Sequence, residues 1–384
     1  MTTELFGCRP GDTNSLMDVA GLGVGHAVCE DEQGDSGTTV IVAPGGAVAG
    51  VDVRGGGPGT RETDLLEPHN TVQAVHAIAL SGGSAFGLDA AGGVMAELES
   101  RGIGFPVLGD HAPDKIVPIV PSAVIFDLLL GRWDSRPDAG TGALAAQRAL
   151  AAYAGEAVEL ATESGNVGAG LAASAGALKG GFGQASATFP EGSPLAGVTI
   201  AAGVVANPQG AVIDPRSGQL WGSASVFSGE MDTPQVSRDA AEALRGMNIL
   251  GTKITPQMLD TPQLNTTIGV IATNATLTKA QCTRLAMGGH DGLARAIRPA
   301  HMPMDGDTLF TLATGHTDVA VDPVALSMLT AASANVVERA IVHAVLAADS
   351  AFGVPSYRDV LANPSGLASN SAPDTTDRTS RTTP

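Results

Sequence analysis

The chain combines a large supply of glycine with very few aromatic side chains, and this combination limits how it can fold. Of its 384 residues, 50 are glycine, 43% are hydrophobic and only 3% are aromatic. The core must therefore be built from Ala, Val, Ile and Leu, and the glycines allow backbones to approach one another closely. Such a composition favours tightly layered helices and sheets over a fibrous or disordered chain. The length is compatible with one large domain or two smaller ones.

Charge and cysteine content argue against several classes of protein. The net charge is −18, which argues against a nucleic-acid partner and against anionic membranes, because both need Lys and Arg. Cys8, Cys29 and Cys282 are odd in number and far apart, so we expect no disulfide framework and a cytoplasmic location. The N-terminus lacks the regions of a signal peptide. The most apolar window, residues 116–130, contains prolines and Asp127, so we expect no membrane span there.

Hydrophobic patterns predict a mixture of strands and helices. Strands are expected over residues 38–42, 47–53, 72–80 and 197–205, from 266 onward, and up to 313. Helices are expected over 88–100, 143–159, 238–244, 277–297 and 323–348, and Thr278 is the expected N-cap of the fourth. Pro44-Gly45-Gly46 predicts a hairpin turn between the first two strands. Residues 1–20 are expected to be loosely attached. Residues 363–384 are rich in Ser, Thr, Asp and Pro and are expected to form a disordered tail.

A glycine-rich segment, Ser81-Gly82-Gly83-Ser84-Ala85-Phe86-Gly87, joins a predicted strand to a predicted helix. It fits neither the nucleophile elbow nor the dinucleotide-binding fingerprint. Two interpretations remain: the glycines let the helix pack closely on the sheet, or the segment shapes a substrate cleft. The eight histidines show no zinc-binding spacing. The sequence therefore predicts no cofactor and no metal ion.

A strand is predicted to begin at or beside Thr266, directly after a long polar connection. Thr266, Thr267, Ile268, Val270 and Ile271 prefer an extended backbone. A threonine at the start of a buried strand becomes an N-terminal nucleophile if the bond before it is cut. The freed α-amine, with an unperturbed pKa of roughly 7.7–8.0, can then act as the base for the hydroxyl. From these residues alone, a structural role and a catalytic role both remain open.

Two carboxylates and two polar side chains are further candidates for chemistry. Asp305 and Asp307 on an extended segment would point to one face, where a close pair can hold and pass a proton. A turn, a solvated surface or a cation site would use the same pattern. Lys179 could hold a carboxylate or an oxyanion, or lie on the surface. Asn207, which precedes Pro208, could donate to an oxyanion or simply favour a turn.

Several segments are distinctive when they are taken in order along the chain. They are LSGGSAFGLDAA at 80–91, VPIVP at 117–121, GNVGAG at 165–170, and NTT at 265–267 followed by DGDT at 305–308. In these segments the chain resembles the self-processing L-aminopeptidase/D-esterase family, which includes β-aminopeptidases and the nylon-oligomer (6-aminohexanoate oligomer) hydrolases. The resemblance covers roughly residues 14–350.

The resemblance implies a fold of the α/β class, a four-layer αββα sandwich like that of N-terminal-nucleophile hydrolases. It also implies self-cleavage between Asn265 and Thr266. The cut would divide a single hydrolase domain, residues 1–362 with the tail, into fragments 1–265 and 266–384. Thr266 is the implied nucleophile, Asp305 and Asp307 assist it, and Lys179 and Asn207 line the site. Subunits are expected to form oligomers, commonly tetramers.

Two features at the site bear on the substrate. The Asn-Thr pair at the predicted cut is similar to that of the nylon-oligomer hydrolases, whereas aminopeptidase members often have Gly-Ser. Those hydrolases, however, carry a tyrosine where Phe126 aligns. We expect Phe126 and Ser84 to contact a small peptide or amide substrate, which could be an α-peptide, a D-amino acid ester, a β-peptide or an ω-amino acid oligomer.

The predicted function is an amide hydrolase that acts through an acyl-enzyme on Thr266. The first alternative is an endo-type nylon-oligomer hydrolase. More distant alternatives are an acyltransferase that uses the same threonine, a non-catalytic binding protein of the same fold, and a metal-dependent hydrolase built on Asp305 and Asp307.

Overall fold

The computed structural model describes residues 5–29, 34–247 and 265–365. Its strands are β1 (Gly23–Val28), β2 (Gly37–Val53), β3 (Thr60–Arg61), β4 (Val75–Ser81), β5 (Phe105–Pro106), β6 (Ile116–Val117), β7 (Ser122–Val124), β8 (Ser174–Ala175), β9 (Leu178–Lys179), β10 (Gly181–Thr188), β11 (Thr199–Ala206), β12 (Ile268–Thr273) and β13 (Thr308–Ala313). Its α-helices are α1 (Ala90–Ser100), α2 (Ala139–Tyr153), α3 (Val158–Ala161), α4 (Arg238–Met247), α5 (Lys279–Ala296), α6 (Pro323–Ala347) and α7 (Tyr357–Ala362).

Nine strands of the described chain form one hydrogen-bonded sheet with two halves. The order is β10-β11-β12-β13-β2-β4-β7-β3, with β1 also paired to β2. The long strand β2 belongs to both halves, because residues 37–42 pair with β1 and β4 whereas residues 48–53 pair with β13. The pairs β12–β13 and β4–β7 are parallel. Parallel pairing of β12 with β13 brings the starts of these two strands side by side.

Three buried apolar clusters separate four layers. The cluster between the two halves of the sheet contains Ile41 and Ile78 from one half and Val270 and Phe310 from the other. A second cluster lies between the half containing β10–β13 and helices α5 and α6. A third lies between β1, β2 and β4 and helices α1 and α2. This helix–sheet–sheet–helix order confirms the expected αββα sandwich.

The predicted hairpin within residues 38–53 is wrong. Gly37–Val53 is one continuous strand, and its pairing with β4 shifts register between Val42 and Ala47. Gly46 adopts a φ of +80° within this irregularity. The turn-like sequence therefore forms a bulge, which lets the two ends of β2 pair with different partners.

Most other elements lie within a few residues of their predicted positions. The cap of α5 is as predicted, since Thr278 Oγ1 accepts the Gln281 N–H at 3.3 Å. The described part of the entry segment, residues 5–20, is not loosely attached, because Leu16 and Val19 are buried in the core between the sheets. Strand β12 begins at Ile268, two residues after Thr266. Most of the predicted tail lies outside the described residues.

Helix α6 is the longest helix in the described parts of the chain, with 25 residues. By length and composition it could cross a membrane, but every residue from 332 to 346 is buried within the protein. It packs against α5, β10 and β11. Its apolar character is therefore that of a core helix, and it supports the sheet that carries the residues described next.

Candidate active site

Thr266 lies just before β12 and is buried. Its backbone N–H donates to the Asn207 carbonyl oxygen at 3.0 Å. Its hydroxyl donates to the carbonyl oxygen of Asn265, the residue before it. That carbonyl oxygen also accepts the Gly306 N–H at 3.0 Å. The Thr266 hydroxyl thus lies beside the carbonyl group of the bond predicted to be cut, and a backbone donor already polarises that carbonyl.

The pairing of β12 with β13 explains why residues distant in sequence meet here. Asn265 and Asp305 form a parallel bridge ahead of the two strands. The Asn265 N–H donates to the Met304 carbonyl at 3.2 Å, and the Thr308 N–H donates to the Thr267 carbonyl at 3.1 Å. The residues ahead of β12 and β13 are therefore held in fixed register.

Asp305 is fully buried beside this bridge. Its Oδ1 accepts the Gln209 N–H at 3.2 Å, and its Oδ2 accepts the Met302 N–H at 3.0 Å. Burial with backbone donors on both oxygens excludes the solvated-surface interpretation of this carboxylate. These contacts also fix its orientation.

Asp307 is also buried and contacts the segment that carries the nucleophile. Its Oδ1 accepts the Thr267 N–H at 2.8 Å. Its Oδ2 accepts the His301 backbone N–H at 3.1 Å and lies 2.8 Å from His301 Nδ1. The structure thus brings together Thr266 and both predicted carboxylates. In the described parts of the chain, no cluster of three or more His, Cys, Asp or Glu side chains could hold a metal ion.

Two histidines behind Asp307 were not predicted as site residues. The His301 ring meets the His290 ring edge-on, with centroids 4.9 Å apart. His290 Nε2 lies 3.0 Å from the Asp52 carbonyl oxygen, and burial lowers the pKa of His290 to about 4. His301 is partly exposed, so it links Asp307 to solvent. The signal for this contact in the sequence was that His301 lies only six residues before Asp307.

Glycines allow two loops to meet at the nucleophile. A Cβ added to Gly306 would lie 2.8 Å from Thr266 Oγ1, and one added to Gly55 would lie 2.2 Å from the Asp305 carbonyl oxygen. The Gly57 N–H donates to that same Asp305 carbonyl at 2.7 Å. Side chains at these positions would push apart the walls of the site.

Asn207 and Phe126 also lie at the site. Asn207 Nδ2 donates to the Phe126 carbonyl at 3.0 Å, and its Oδ1 accepts the Ser174 N–H at 3.0 Å. These contacts fix the amide orientation in the intact chain. Ser84 is more remote: its N–H donates to the carbonyl of Ile125, next to Phe126, at 2.9 Å. Within the described residues its side chain forms no hydrogen bond to this site.

Lys179 is completely buried, so the surface-lysine alternative is excluded. Its Nζ lies 2.8 Å from the Ala173 carbonyl oxygen, 2.9 Å from that of Gly180 and 3.3 Å from that of Gly170. Lys179 also pairs with Ser174 in the β8–β9 hairpin. Because the Ser174 N–H donates to Asn207 Oδ1, Ser174 links Lys179 to the Asn207 amide. Burial lowers the pKa of Lys179 to about 7.

Asp127 is a buried carboxylate that the sequence analysis did not select. It accepts the Ser36 hydroxyl and the Gly83 N–H, both at 2.7 Å. Burial raises its pKa, and the Lys179 charge acts in the opposite direction. A Cβ on Gly82 would lie 2.1 Å from Asp127 Oδ2, so the glycines of this segment are needed for close packing. The signal was that Asp127 is the one charge in the apolar window 116–130.

The lowered pKa of Lys179 predicts a specific pH dependence of stability. Lys179 binds its proton up to a pH of about 7 in the folded chain and up to 10.5 in the unfolded chain. Between these values the unfolded chain holds more protons, so the free energy of unfolding rises with pH by at most about 1.4 kcal/mol per unit. We expect Lys179→Met to lack this contribution. Urea unfolding over this pH range in a Thr266→Ala background compares the two; equal slopes would contradict the assignment.

Comparisons with known proteins add to this geometry. The model of peptidase family S58 matches residues 14–357. An uncharacterized aminopeptidase of Mycobacterium tuberculosis is 44% identical over 363 residues, covering 90% of this chain and 98% of the relative. A 6-aminohexanoate-oligomer endohydrolase of Kocuria sp. is 31% identical over 309 residues, covering 80% of this chain and 77% of the relative.

Solved structures share the fold. A Burkholderia sp. beta-aminopeptidase superposes with a TM-score of 0.62 at 24% identity and covers 94% of this chain and 99% of its own. The L-aminopeptidase D-Ala-esterase/amidase of Ochrobactrum anthropi, described as a variant of the Ntn hydrolase fold, gives a TM-score of 0.62 at 21% identity and covers 94% of this chain and 98% of its own.

The sandwich, the site at the head of its central strands and these relatives together define an Ntn-fold hydrolase that acts on amide bonds. The match of the family model covers most of the chain. The protein belongs to peptidase family S58.

Proposed function

We propose that the chain is a self-processing aminopeptidase or amidohydrolase whose nucleophile is Thr266. One observation carries this proposal: the Thr266 hydroxyl donates to the carbonyl of Asn265, and the same carbonyl accepts the Gly306 N–H. A nucleophile and an oxyanion donor thus converge on one peptide bond. The site is buried, which strengthens both interactions.

The first step is self-cleavage. Thr266 Oγ1 bonds to the Asn265 carbonyl carbon, the Asn265–Thr266 C–N bond breaks, and the hydroxyl proton passes to the leaving nitrogen. Water then hydrolyses the resulting ester, which yields the Asn265 carboxylate and restores the Thr266 hydroxyl. The Gly306 N–H stabilises the oxyanion of each tetrahedral intermediate. Asp307 holds the Thr267 N–H and so keeps the neighbouring nucleophile in place.

The second step is hydrolysis of substrate. The new α-amine of Thr266 remains beside the Asn207 carbonyl, which already accepts its N–H at 3.0 Å. This amine takes the proton from the hydroxyl as Oγ1 attacks the substrate carbonyl and gives it to the departing amine. Water then opens the acyl-enzyme. We assign to Asp305, Asp307, Lys179 and Asn207 the task of orienting these groups and stabilising charge.

A second candidate activity is hydrolysis of nylon-type oligomers. The Kocuria relative, a 6-aminohexanoate-oligomer endohydrolase, is 31% identical over most of this chain. Those enzymes carry a tyrosine at the position that aligns with Phe126, and the phenyl ring of Phe126 lacks the tyrosine hydroxyl. We therefore place short peptides and aminoacyl amides first and 6-aminohexanoate oligomers second.

The test compares substrates with the purified, processed protein. We expect release of aniline from aminoacyl anilides, and a slower release of product from 6-aminohexanoate oligomers, because the Phe126 ring cannot hydrogen-bond to an amide. Product analysis with an added amine acceptor separates hydrolysis from acyl transfer. A protein that is processed but releases no product from any of these amides would contradict the proposal and favour a binding protein of this fold.

A further inference from the structure

A cavity separate from the active site lies at the edge of the layer between the sheet halves. It has a volume of about 220 Å³ and lies between β1, α2, α3 and residues 163–168. An engineered cavity of ~150 Å³ can hold benzene, so this one has room for a small organic molecule. None of the residues assigned above to catalysis lines it.

The walls of the cavity are mostly apolar. Val24, Ala151, Ala161 and Val167 line it, and so does Leu160, which is 55% exposed. An exposed leucine beside an open apolar cavity is suited to contact with an aliphatic ligand. The walls therefore select the body of a ligand without fixing its ends.

Two exposed side chains of opposite charge, Arg148 and Glu163, also line the cavity and can pair with the ends of a ligand. Arg148, on α2, donates from Nη1 to the His26 carbonyl at 2.5 Å, and within the described residues it has no carboxylate partner. Glu163, after α3, forms no side-chain hydrogen bond and no ion pair in the same part of the chain. Both residues line the cavity. A guanidinium suits a carboxylate, and a carboxylate suits an ammonium.

We propose that this cavity binds a small zwitterionic amino acid with an aliphatic body, whose carboxylate pairs with Arg148 and whose ammonium pairs with Glu163. The wall also contains His26, whose Nε2 is buried and has no hydrogen-bond partner among the described residues. That nitrogen offers a further polar contact to a ligand after a small shift of the ring.

A short chain of contacts joins the cavity to Lys179. The Thr39 hydroxyl lies 2.9 Å from His26 Nδ1 and accepts the Ala169 N–H at 3.1 Å. The next carbonyl, that of Gly170, is one of the three around the Lys179 ammonium. A ligand that moves His26 therefore shifts the turn that holds Lys179. Because the proposed reaction releases amino acids, the cavity would sense product, and this last step rests on the proposed function.

Binding is tested in the uncut Thr266→Ala chain by calorimetry with L-leucine and 6-aminohexanoate. Hexanoate and hexylamine each lack one charge, and we expect them to bind at least about tenfold more weakly. Arg148→Met and Glu163→Gln should each weaken binding of at least one zwitterion about tenfold or more. Arg101→Met, which removes an exposed arginine of another helix end, should not. Undiminished binding in both cavity variants, or no binding at ~10 mM, overturns the proposal.

The effect on catalysis is measured separately in the processed protein. An amino acid that acts through the cavity changes the hydrolysis rate of wild type and loses that effect in Arg148→Met. Inhibition that persists unchanged in Arg148→Met places the amino acid in the catalytic cleft and overturns the link to Lys179. Failure of self-cleavage would remove the proposed function but leave the calorimetric result intact, so the two failures are distinguishable.

Discussion

Thr266→Ala is expected to leave the chain as one polypeptide of full length. The hydroxyl of Thr266 is the group placed at the Asn265 carbonyl, and without it no ester can form. Loss of a hydrolase nucleophile lowers the rate by about 10⁶-fold, so no cut chain should accumulate during a long incubation. Intact-mass measurement of wild type and variant over time gives the answer directly.

Two matched variants make this result specific. Thr266→Ser keeps an attacking hydroxyl and should still be cut. Thr267→Val nearly preserves the shape of the side chain next to Thr266. It removes a buried hydroxyl that has no hydrogen-bond partner among the described residues, so this variant should be cut as well. N-terminal sequencing of the smaller fragment should begin at Thr266. If the Thr266→Ala chain is cut at the wild-type rate, the proposed mechanism is wrong.

Asp307→Asn is expected to lower both self-cleavage and amide hydrolysis by about 10²–10⁴-fold. Three N–H groups from Thr267 and His301 point at the two carboxylate oxygens of Asp307. Asn replaces one of those oxygens with a donor, so at least one of the three contacts becomes a donor facing a donor. The register of the segment that carries Thr266 then shifts. Single-turnover cleavage rates and steady-state hydrolysis report the two effects.

Asp114→Asn controls for the loss of one negative charge. Asp114 is exposed beside Lys115, so this variant should leave both rates unchanged. His301→Phe removes the ring donor but leaves the backbone donor, so its effect should be smaller than that of Asp307→Asn. Thermal unfolding must first show that each variant is folded. Cleavage of Asp307→Asn at the wild-type rate would show that this carboxylate does not position the nucleophile.

Local sequence signals predicted the elements around the site well. The β-branched run after Thr266 forms β12, and the cap at Thr278 starts α5 as expected, because both depend on neighbouring residues. Strand β10 was missed, since its sequence GFGQASAT has only one β-branched residue and is extended because β11 and α6 pack on it. Propensity gives no account of such tertiary contacts.

The site was predicted only in part for the same reason. The proximity of Thr266 to Asp305 and Asp307 was expected from a motif and its order along the chain. Asp127 and His301 were not predicted, because their partners lie far away in sequence or in a turn, such as Gly83 for Asp127. The three carbonyl groups around Lys179 could not be predicted either, because they belong to the backbone, and the residue type does not show where a backbone carbonyl points. Their arrangement depends on the fold of the backbone.

The position of β12 and β13 within the sheet has a consequence for the processed molecule. On one side β12 pairs with β11, and on the other side β13 pairs with β2. Both partner strands precede residue 265, so the two strands of the shorter fragment lie between strands of the longer fragment in the sheet. Severing the backbone at Thr266 would leave a nicked protein whose halves stay interlocked, and only global unfolding would part them.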